Sequence, residues 1–429
     1  MTAAAAAVRP SGGHKKAVLW GVATKAATFI LFYALQIYLV RTAGIEAYGR
    51  WNYFYSAFTI IAVLANFGIQ HSARKHLAQF SGREGFGAVV KSSLRLRALF
   101  SGLFAALMLL SAGPLAAALG HPELRSLFLW AAPMVFFTGF VEYFKEFFIG
   151  LRRIDRNLLI NSCEYGAKLL LTAVLFGLTA SLSGVGAAFA FALLVAACAG
   201  LWNARGILAE GPGGGVFGRT GFSLKLLAYA LPMFMVEALN MAAGNMDTLI
   251  LGYLSGDQAV GLYSIPKQIA IKAPHISMAI CMGIMPVFAQ FESARAGELK
   301  ALFRKLLLAN AVIAGSIVAV IMLFAGKLLG LLYGPASVQA APAFRVLCLY
   351  IGAATFSVYF ASFLEYRGFA AKLARNIVIA FVVEAGLCLL LAPRYGALGA
   401  AWALSGAWTL FLALNVLSAR KAFLLVQRD

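Results

Sequence analysis

The sequence predicts an all-α polytopic membrane protein with about twelve transmembrane helices, arranged as two six-helix lobes related by a pseudo-two-fold axis along the membrane normal. Three observations predict this class. Hydrophobic residues make up 62% and charged residues 12% of the 429 residues, whereas soluble domains contain about 45–50% and about 25%. The apolar stretches have the length of spanning helices, and the basic residues alternate from loop to loop.

Each apolar stretch is long enough to cross a bilayer, which takes about 20 residues. In chain order the predicted spans are 17–40, 51–71, 97–119, 127–150, 159–180, 185–206, 225–251, 259–286, 303–325, 341–364, 376–393 and 396–417. None of the loops between them is long enough for a soluble domain. The chain is therefore expected to be membrane-embedded throughout.

The basic residues give the orientation, because Lys and Arg collect in cytoplasmic loops. Most of the 36 Lys and Arg residues fall in the termini and in every second loop, and Arg97 is assigned to the cytoplasmic flank of the third span. The other loops contain only Arg41, Arg50, Arg125, Lys327 and Arg394. Both termini are therefore predicted to be cytoplasmic, which requires an even number of spans. The net charge of +20 comes from the Lys and Arg residues of the predicted cytoplasmic loops and termini. Membrane orientation explains it, so nucleic-acid binding is not predicted.

A short turn sequence occurs twice, as G-I-E-A-Y-G-R-W at Gly44–Trp51 and as G-D-Q-A-V-G-L-Y at Gly256–Tyr263. Each copy follows one apolar stretch and opens another, as in transporters with internal repeats. The longest polar link in the middle of the chain contains the flexible composition G-P-G-G-G at Gly211–Gly215. The sequence predicts an N-terminal lobe over 1–206, a cytoplasmic Gly-rich linker over 207–223 and a C-terminal lobe over 224–429.

Polar residues follow one face of predicted spans 1, 2, 7 and 8 at helical spacing. Ionisable groups inside a membrane cost about 2.5–3.5 kcal/mol on insertion scales and are expected to face a cavity. The pattern predicts a solvated cleft between the lobes, where cationic groups suit a phosphate-like head group. The candidate substrate-binding residues are Lys25, Gln36, Asn66, Lys267, Gln268, Lys272 and His275, with the carboxylates Glu237 and Asp247 on the same faces.

Two alternatives stay open for this cleft. Glu237 and Lys272 could form a structural ion pair, and Lys25 could extend to the cytoplasmic surface. A second ionisable group lies on predicted spans 4 and 5 and consists of Glu142, Lys145, Glu146, Glu164 and Lys168. Neighbouring helices at one depth are expected to pair such charges, so we interpret this group as structural ion pairs, with a proton or ion site as the alternative. The five cysteines lack metal-ligand spacing, and no metal or cofactor is predicted.

Several stretches carry a family resemblance. They are L-V-R-T-A-G-I-E-A-Y-G-R-W (Leu39–Trp51), N-F-G-I-Q-H-S-A-R-K-H-L-A (Asn66–Ala78), Y-A-L-P (Tyr229–Pro232), N-M-D-T-L-I-L-G (Asn245–Gly252), the second turn copy, and Y-G-A-L-G-A-A (Tyr395–Ala401). Together they resemble Wzx-type polysaccharide (O-antigen) flippases of the multidrug/oligosaccharidyl-lipid/polysaccharide exporter superfamily.

The resemblance implies a two-lobe alternating-access transporter of the bacterial inner membrane. Its substrate would be an undecaprenyl-pyrophosphate-linked oligosaccharide, moved to the outer leaflet for O-antigen, capsule or exopolysaccharide assembly, with membrane lipid and polysaccharide polymerase machinery as partners. It also implies a cationic cavity, for which Lys25, Lys267 and Lys272 are candidates, and ion coupling, for which Glu237 and Asp247 are candidates.

Two other functions compete with this one. A cation-coupled multidrug or small-molecule exporter on the same fold is the alternative, since acidic and basic groups are mixed in the predicted cleft. A membrane-embedded enzyme of glycan assembly would need a catalytic constellation near a loop. The loops contain no D-x-D pair, and a non-enzymatic protein is predicted.

Overall fold

The computed structural model describes residues 14–209, 220–282 and 296–426, which form α-helices and short turns without any β-strand. The helices are α1 (His14–Asn66), α2 (Ile69–Phe80), α3 (Phe86–Ala118), α4 (Arg125–Gly150), α5 (Ile154–Thr179), α6 (Leu182–Ala209), α7 (Thr220–Ala270), α8 (Pro274–Met282), α9 (Ala296–Tyr333), α10 (Ala341–Tyr366) and α11 (Ala370–Val426). The 3₁₀ turns Pro122–Leu124 and Pro335–Ala340 precede α4 and α10. The all-α class is confirmed. Residues 210–219 of the predicted linker lie outside the described residues.

Three long helices each contain one glycine with a non-helical backbone. Gly44 in α1 has φ 85°, Gly256 in α7 has φ 77° and Gly396 in α11 has φ 52°. Glycine adopts positive φ readily because it has no Cβ, so the chain changes direction there without a loop. Nine stretches among the described residues are long and apolar enough to cross a membrane. Gly44 lies between predicted spans 1 and 2, Gly256 lies between spans 7 and 8, and Gly396 is the first residue of span 12. The count of twelve spans stays a prediction.

The contacts divide the chain into two compact units. The first unit contains the chain up to Leu39 together with Phe54–Asn245, and the second contains Val40–Tyr53 together with the chain from Met246 onward. Of the three boundaries, two therefore fall inside α1 and one inside α7, and none falls at the Gly-rich linker. The predicted division into lobes over 1–206 and 224–429 stays a prediction.

Aromatic side chains of α4 fill the core of the first unit. Tyr143, Phe144 and Phe147 are buried almost completely. Gly200 of α6 lies directly against one of these rings, since a Cβ there would be 2.7 Å from the Phe144 ring. Small residues let helices approach closely in a membrane, where packing rather than the hydrophobic effect drives helix association.

A tight turn ends α1 before the predicted end of the second span. Phe67 and Gly68 have positive φ values of 46° and 65°, so the helix stops at Asn66 instead of continuing to residue 71. Gly68 also contacts the backbone of α7, because a Cβ on it would lie 2.3 Å from the Ala230 carbonyl oxygen. The turn redirects the chain into α2, which at 12 residues is too short to be a candidate span.

The two copies of the repeated turn sequence contact each other within the second unit. Gly49 and Gly261 stand at the same position of each copy, and so do Ile45 and Asp257. A Cβ on Gly49 would lie 1.8 Å from the Asp257 carbonyl oxygen, and one on Gly261 would lie 2.1 Å from the Ile45 carbonyl oxygen. The contact is reciprocal, as expected at a local two-fold axis. Arg50 Nε donates a hydrogen bond to Asp257 Oδ2 at 2.6 Å, which also stabilises the contact between the two turns.

Replacing Gly49 with Ala should destabilise the protein, because the methyl group would overlap a backbone oxygen that cannot rotate away. Overpacking of this kind costs about 1–3 kcal/mol. Thermal unfolding of the purified protein in detergent measures the effect. Gly386→Ala in α11 is the matched control, since a Cβ there has no heavy atom within 4 Å. An unchanged unfolding temperature for Gly49→Ala would contradict the close contact.

Candidate functional site

Asp247 on α7 is the centre of a buried polar cluster in the second unit. Lys267 Nζ lies 2.7 Å from Asp247 Oδ1 and 3.1 Å from Thr248 Oγ1. The Thr248 amide donates to Asp247 Oδ1 at 2.7 Å, and the Tyr263 hydroxyl donates to Asp247 Oδ2. Asp247 and Lys267 are 2% and 6% exposed. The structure therefore places Lys267 in a buried ion pair, although the sequence analysis groups it with the substrate-binding lysines.

Glu384 of α11 extends this cluster. It is 7% exposed and interacts electrostatically with Asp247 and Lys267. Within the described part of the chain, its Oε1 atom is buried without a hydrogen-bond partner. Glu384 is thus a second buried carboxyl group near the Asp247–Lys267 ion pair. Burial of an uncompensated charge is costly, so this carboxyl group is chemically suited to holding a proton.

Glu237 on α7 pairs with α2 in the first unit. Gln70 Nε2 donates to Glu237 Oε2 at 2.9 Å, and His71 Nε2 lies 3.3 Å from the same oxygen. The hydrogen bond to Glu237 raises the pKa of His71, and a protonated His71 would neutralise the carboxylate. The pairing of Glu237 with Lys272, left open by the sequence, stays a prediction.

Arg97 of α3 is a buried cation that the sequence analysis places wrongly. It was assigned to the cytoplasmic flank of the third span, but α3 begins at Phe86 and Arg97 is 0% exposed. Its Nη1 donates to Asn66 Oδ1 at 3.1 Å, and its Nη2 donates to the Ala65 carbonyl oxygen. The guanidinium caps the unpaired carbonyl groups at the end of α1 and fixes the candidate residue Asn66. The first turns of α3 are polar, so a search for apolar stretches starts the helix at residue 97 instead of Phe86. Arg97 then falls at the predicted end of the span and not inside a helix.

The predicted ion cluster of spans 4 and 5 is assembled around Lys145 on α4. Lys145 Nζ lies 2.8 Å from Glu142 Oε1 and 2.7 Å from Glu164 Oε2. Lys168 pairs with the other oxygen of Glu164 one helical turn away on α5. The remaining predicted member, Glu146, pairs instead with Arg74 Nη1 of α2 at 2.9 Å.

A cavity of about 230 Å³ lies within the first unit beside this ion cluster. Its wall combines ionisable groups, amide or hydroxyl groups, and aromatic rings. These are Glu142, Glu164, Lys168 and Glu237; Asn66, Thr59 and Thr138; and Tyr55, Phe58, Tyr165 and Phe189. Asn66 and Glu237 are thus the predicted cleft residues that line it.

The other predicted cleft residues are distributed over both units. On α1, Lys25 is exposed and Gln36 is buried. Lys272 lies in the turn between α7 and α8, where Pro274 starts the new helix, and it is partly exposed, as is Gln268. His275 is exposed near the start of α8. The single cleft that would join these residues stays a prediction.

The comparisons with known proteins identify the family. A sequence profile described as "Polysaccharide biosynthesis protein" matches residues 15–292. The chain belongs to this family, which is that of the Wzx-type flippases, and the resemblance seen in the sequence is confirmed. No curated protein matches the chain.

Solved structures of transporters share the fold. An inward-facing multidrug resistance MATE family transporter of the MOP superfamily has a TM-score of 0.73 and 17% identity, over 94% of this chain and 96% of that chain. The lipid II flippase MurJ in its inward closed conformation has a TM-score of 0.71 and 14% identity, over 96% and 90%. A MOP superfamily transporter from Pyrococcus furiosus has a TM-score of 0.66 and 17% identity, over 100% of both chains. The protein is a multi-pass membrane protein that shares the fold of these solved structures.

Replacing Lys267 with Met should destabilise the protein strongly. Asp247 would remain buried without its ammonium partner, and breaking a buried pair from one side costs about 3–5 kcal/mol. The double variant Lys267→Met/Asp247→Asn should recover much of this loss, because it removes both charges. Thermal unfolding in detergent measures both variants. Lys305→Met, at an exposed position of α9, is the matched control, and a wild-type unfolding temperature for the single Lys267 variant would show that the pair is not structural.

Proposed function

We propose that the protein translocates an undecaprenyl-pyrophosphate-linked oligosaccharide from the cytoplasmic to the outer leaflet of the bacterial inner membrane, with both termini in the cytoplasm. Family membership over residues 15–292 carries this proposal. The transporter fold supports transport of a substrate rather than its chemical conversion. On the outer face the substrate would pass to polysaccharide polymerase machinery for O-antigen, capsule or exopolysaccharide assembly.

The exposure of the lysines supports an anionic substrate group. Lys145, Lys168 and Lys267 are held by carboxylates inside the units. Lys25 is exposed on α1, and Lys272 is partly exposed in the turn before α8. A flexible lysine ammonium is suited to binding a phosphate as a point charge. We therefore assign the pyrophosphate to Lys25 and Lys272, with Gln36, Gln268 and His275 as further candidates.

Alternating access requires a step that ties the conformational change to an energy source. Glu237 and Asp247 are the proposed coupling carboxylates, and each lies on α7 with a titratable or charged partner, His71 or Lys267. The buried carboxyl group of Glu384 near the Asp247–Lys267 pair supports a proton as the coupling ion in the second unit. Protonation there would change the charge of the cluster by one unit and could favour one conformation over the other.

A cation-coupled multidrug or small-molecule exporter is the second candidate function. The likeness to the multidrug resistance MATE transporter favours it, and so do the three carboxylates on the wall of the first unit's cavity. An exporter of cationic drugs would need these carboxylates to be accessible to the drug. Each of the three instead accepts a hydrogen bond or forms an ion pair with one of the protein's own side chains.

Depletion of the protein in its native cell distinguishes the two functions. A flippase substrate should build up in the cytoplasmic leaflet while surface glycan is lost, because assembly of the lipid-linked oligosaccharide continues on the inner face. Mass spectrometry of extracted lipids identifies the intermediate. An intact surface glycan without any build-up, together with new sensitivity to cationic drugs, would contradict the flippase and support the exporter.

The double variant Lys25→Ala/Lys272→Ala should reduce glycan export at least ten-fold, because both proposed pyrophosphate contacts are removed. Ten-fold corresponds to about 1.4 kcal/mol of lost binding. Export is measured as surface glycan in the depleted strain complemented with each variant, normalised to membrane protein. Lys91→Ala/Lys305→Ala removes the same charge from exposed positions of α3 and α9 and should export normally. Normal export by the first pair would contradict the assignment.

A further inference from the structure

The cavity of the first unit differs in its chemistry from a pyrophosphate site. Three carboxylates and one ammonium group lie on its wall. The carboxylates of Glu142 and Glu164 are bridged by Lys145 from behind the wall, at 2.8 and 2.7 Å. Glu237 accepts a hydrogen bond from Gln70, and its Oε2 atom lies 3.3 Å from His71 Nε2. The ammonium group on this wall, that of Lys168, is already paired with Glu164, so a pyrophosphate would gain no available cation there and would be repelled by the carboxylates.

A free cation is also poorly suited to the cavity. At Glu164 it would have to displace Lys145 or Lys168, and at Glu142 it would have to share the carboxylate with Lys145. Glu164 and Lys168 are 5% exposed each, and removal of one partner from a buried pair is costly. The wall therefore presents hydrogen-bonding groups whose charges are largely balanced within the protein. Such a wall is best matched by an uncharged polar ligand.

Aromatic rings line the cavity beside these polar groups. The Tyr55 ring packs against Phe58 at 5.6 Å and edge-on against Phe189 at 5.8 Å between ring centroids, and Tyr165 lies on the same wall. Ligand pockets typically combine apolar and aromatic walls with a few polar groups that fix orientation. A sugar ring has apolar C–H faces that pack on aromatic rings and a rim of hydroxyl groups that both donate and accept hydrogen bonds.

The polar wall offers both kinds of hydrogen-bond partner to such a rim. Carboxylates accept, the Lys168 ammonium donates, and hydroxyl and amide groups do both. The side chains of Glu142 and Glu237 are 38% and 25% exposed, so their oxygens can still be reached. The volume of about 230 Å³ is below the range of about 300–1,000 Å³ for pockets of drug-sized ligands, which fits one ring rather than a chain.

We propose that this cavity binds an uncharged sugar ring of the lipid-linked oligosaccharide. The inference rests on the proposed function and divides the substrate between two regions. The sugar enters the charge-balanced cavity of the first unit, and the pyrophosphate binds lysines elsewhere. Thr138 of α4 is the position at which the cavity can be tested most simply, because it lines the wall and takes no part in the ion cluster.

The experiment compares two lipids on the full-length protein in nanodiscs. One is the lipid-linked oligosaccharide extracted from the depleted strain, and the other is undecaprenyl pyrophosphate without sugar. Thr138→Trp fills the cavity and should weaken binding of the first lipid at least ten-fold while changing binding of the second less than two-fold. Thr138→Val keeps the volume, removes the hydroxyl and should weaken binding of the first lipid about three-fold. Leu170→Trp, on the exposed face of α5, is the control and should change neither.

Each other outcome has a separate meaning. Unchanged binding of both lipids by a folded Thr138→Trp protein would overturn the sugar site and leave the flippase function intact. An equal loss for both lipids would also overturn it, since the cavity would then not distinguish the sugar. Failure of the wild-type protein to bind either lipid would refute the proposed function and the sugar site with it. If Thr138→Trp abolished binding of a cationic dye and left binding of the glycan lipid unchanged, the sugar site would be overturned and the cavity assigned to a cation.

Discussion

Gly49 and Gly261 bring the two copies of the repeated turn into direct backbone contact, and this contact joins α1 to α7 within the second unit. It depends on the positive φ at Gly44 and Gly256, because a continuous helix could not present both turns to each other. α1 and α7 each continue into the first unit. Of these two helices, α7 carries Glu237 in the first unit and Asp247 in the second.

The buried charges follow from the cost of placing ions in a membrane. Lys145, Lys168 and Lys267 are each paired with a carboxylate, and Arg97 is satisfied by carbonyl oxygens at the end of α1. These cations hold helices together and are poor candidates for binding an anionic substrate group, since a pyrophosphate would have to break an existing pair. The cavity beside Glu164 is the consequence of this balance. It is polar enough for hydroxyl groups and carries too little net charge to favour an ion.

The sequence predicts the class of the fold well, because hydropathy and loop charge report directly on insertion into a membrane. The repeated turn can also be predicted, because its glycines Gly44 and Gly256 are recognisable in the local sequence. The contacts between residues distant in the chain cannot be predicted in this way. Glu384 shows no partner in the sequence because Asp247 lies on a helix distant in the chain, and periodicity alone cannot distinguish the buried Lys267 from the exposed Lys25. Arg97 was misplaced because an apolar window does not register the polar first turns of α3.

Transfer of substrate between leaflets by the purified protein tests the central claim most directly. Proteoliposomes would contain the extracted lipid-linked oligosaccharide in both leaflets, and a membrane-impermeant oxidant of sugars would report the fraction in the outer leaflet. A flippase should make nearly all of the glycan lipid accessible within minutes, whereas protein-free liposomes should stop at about half. Accessibility that stays at one half, in vesicles where the same folded protein transports a cationic dye, would contradict the claim and identify a small-molecule exporter.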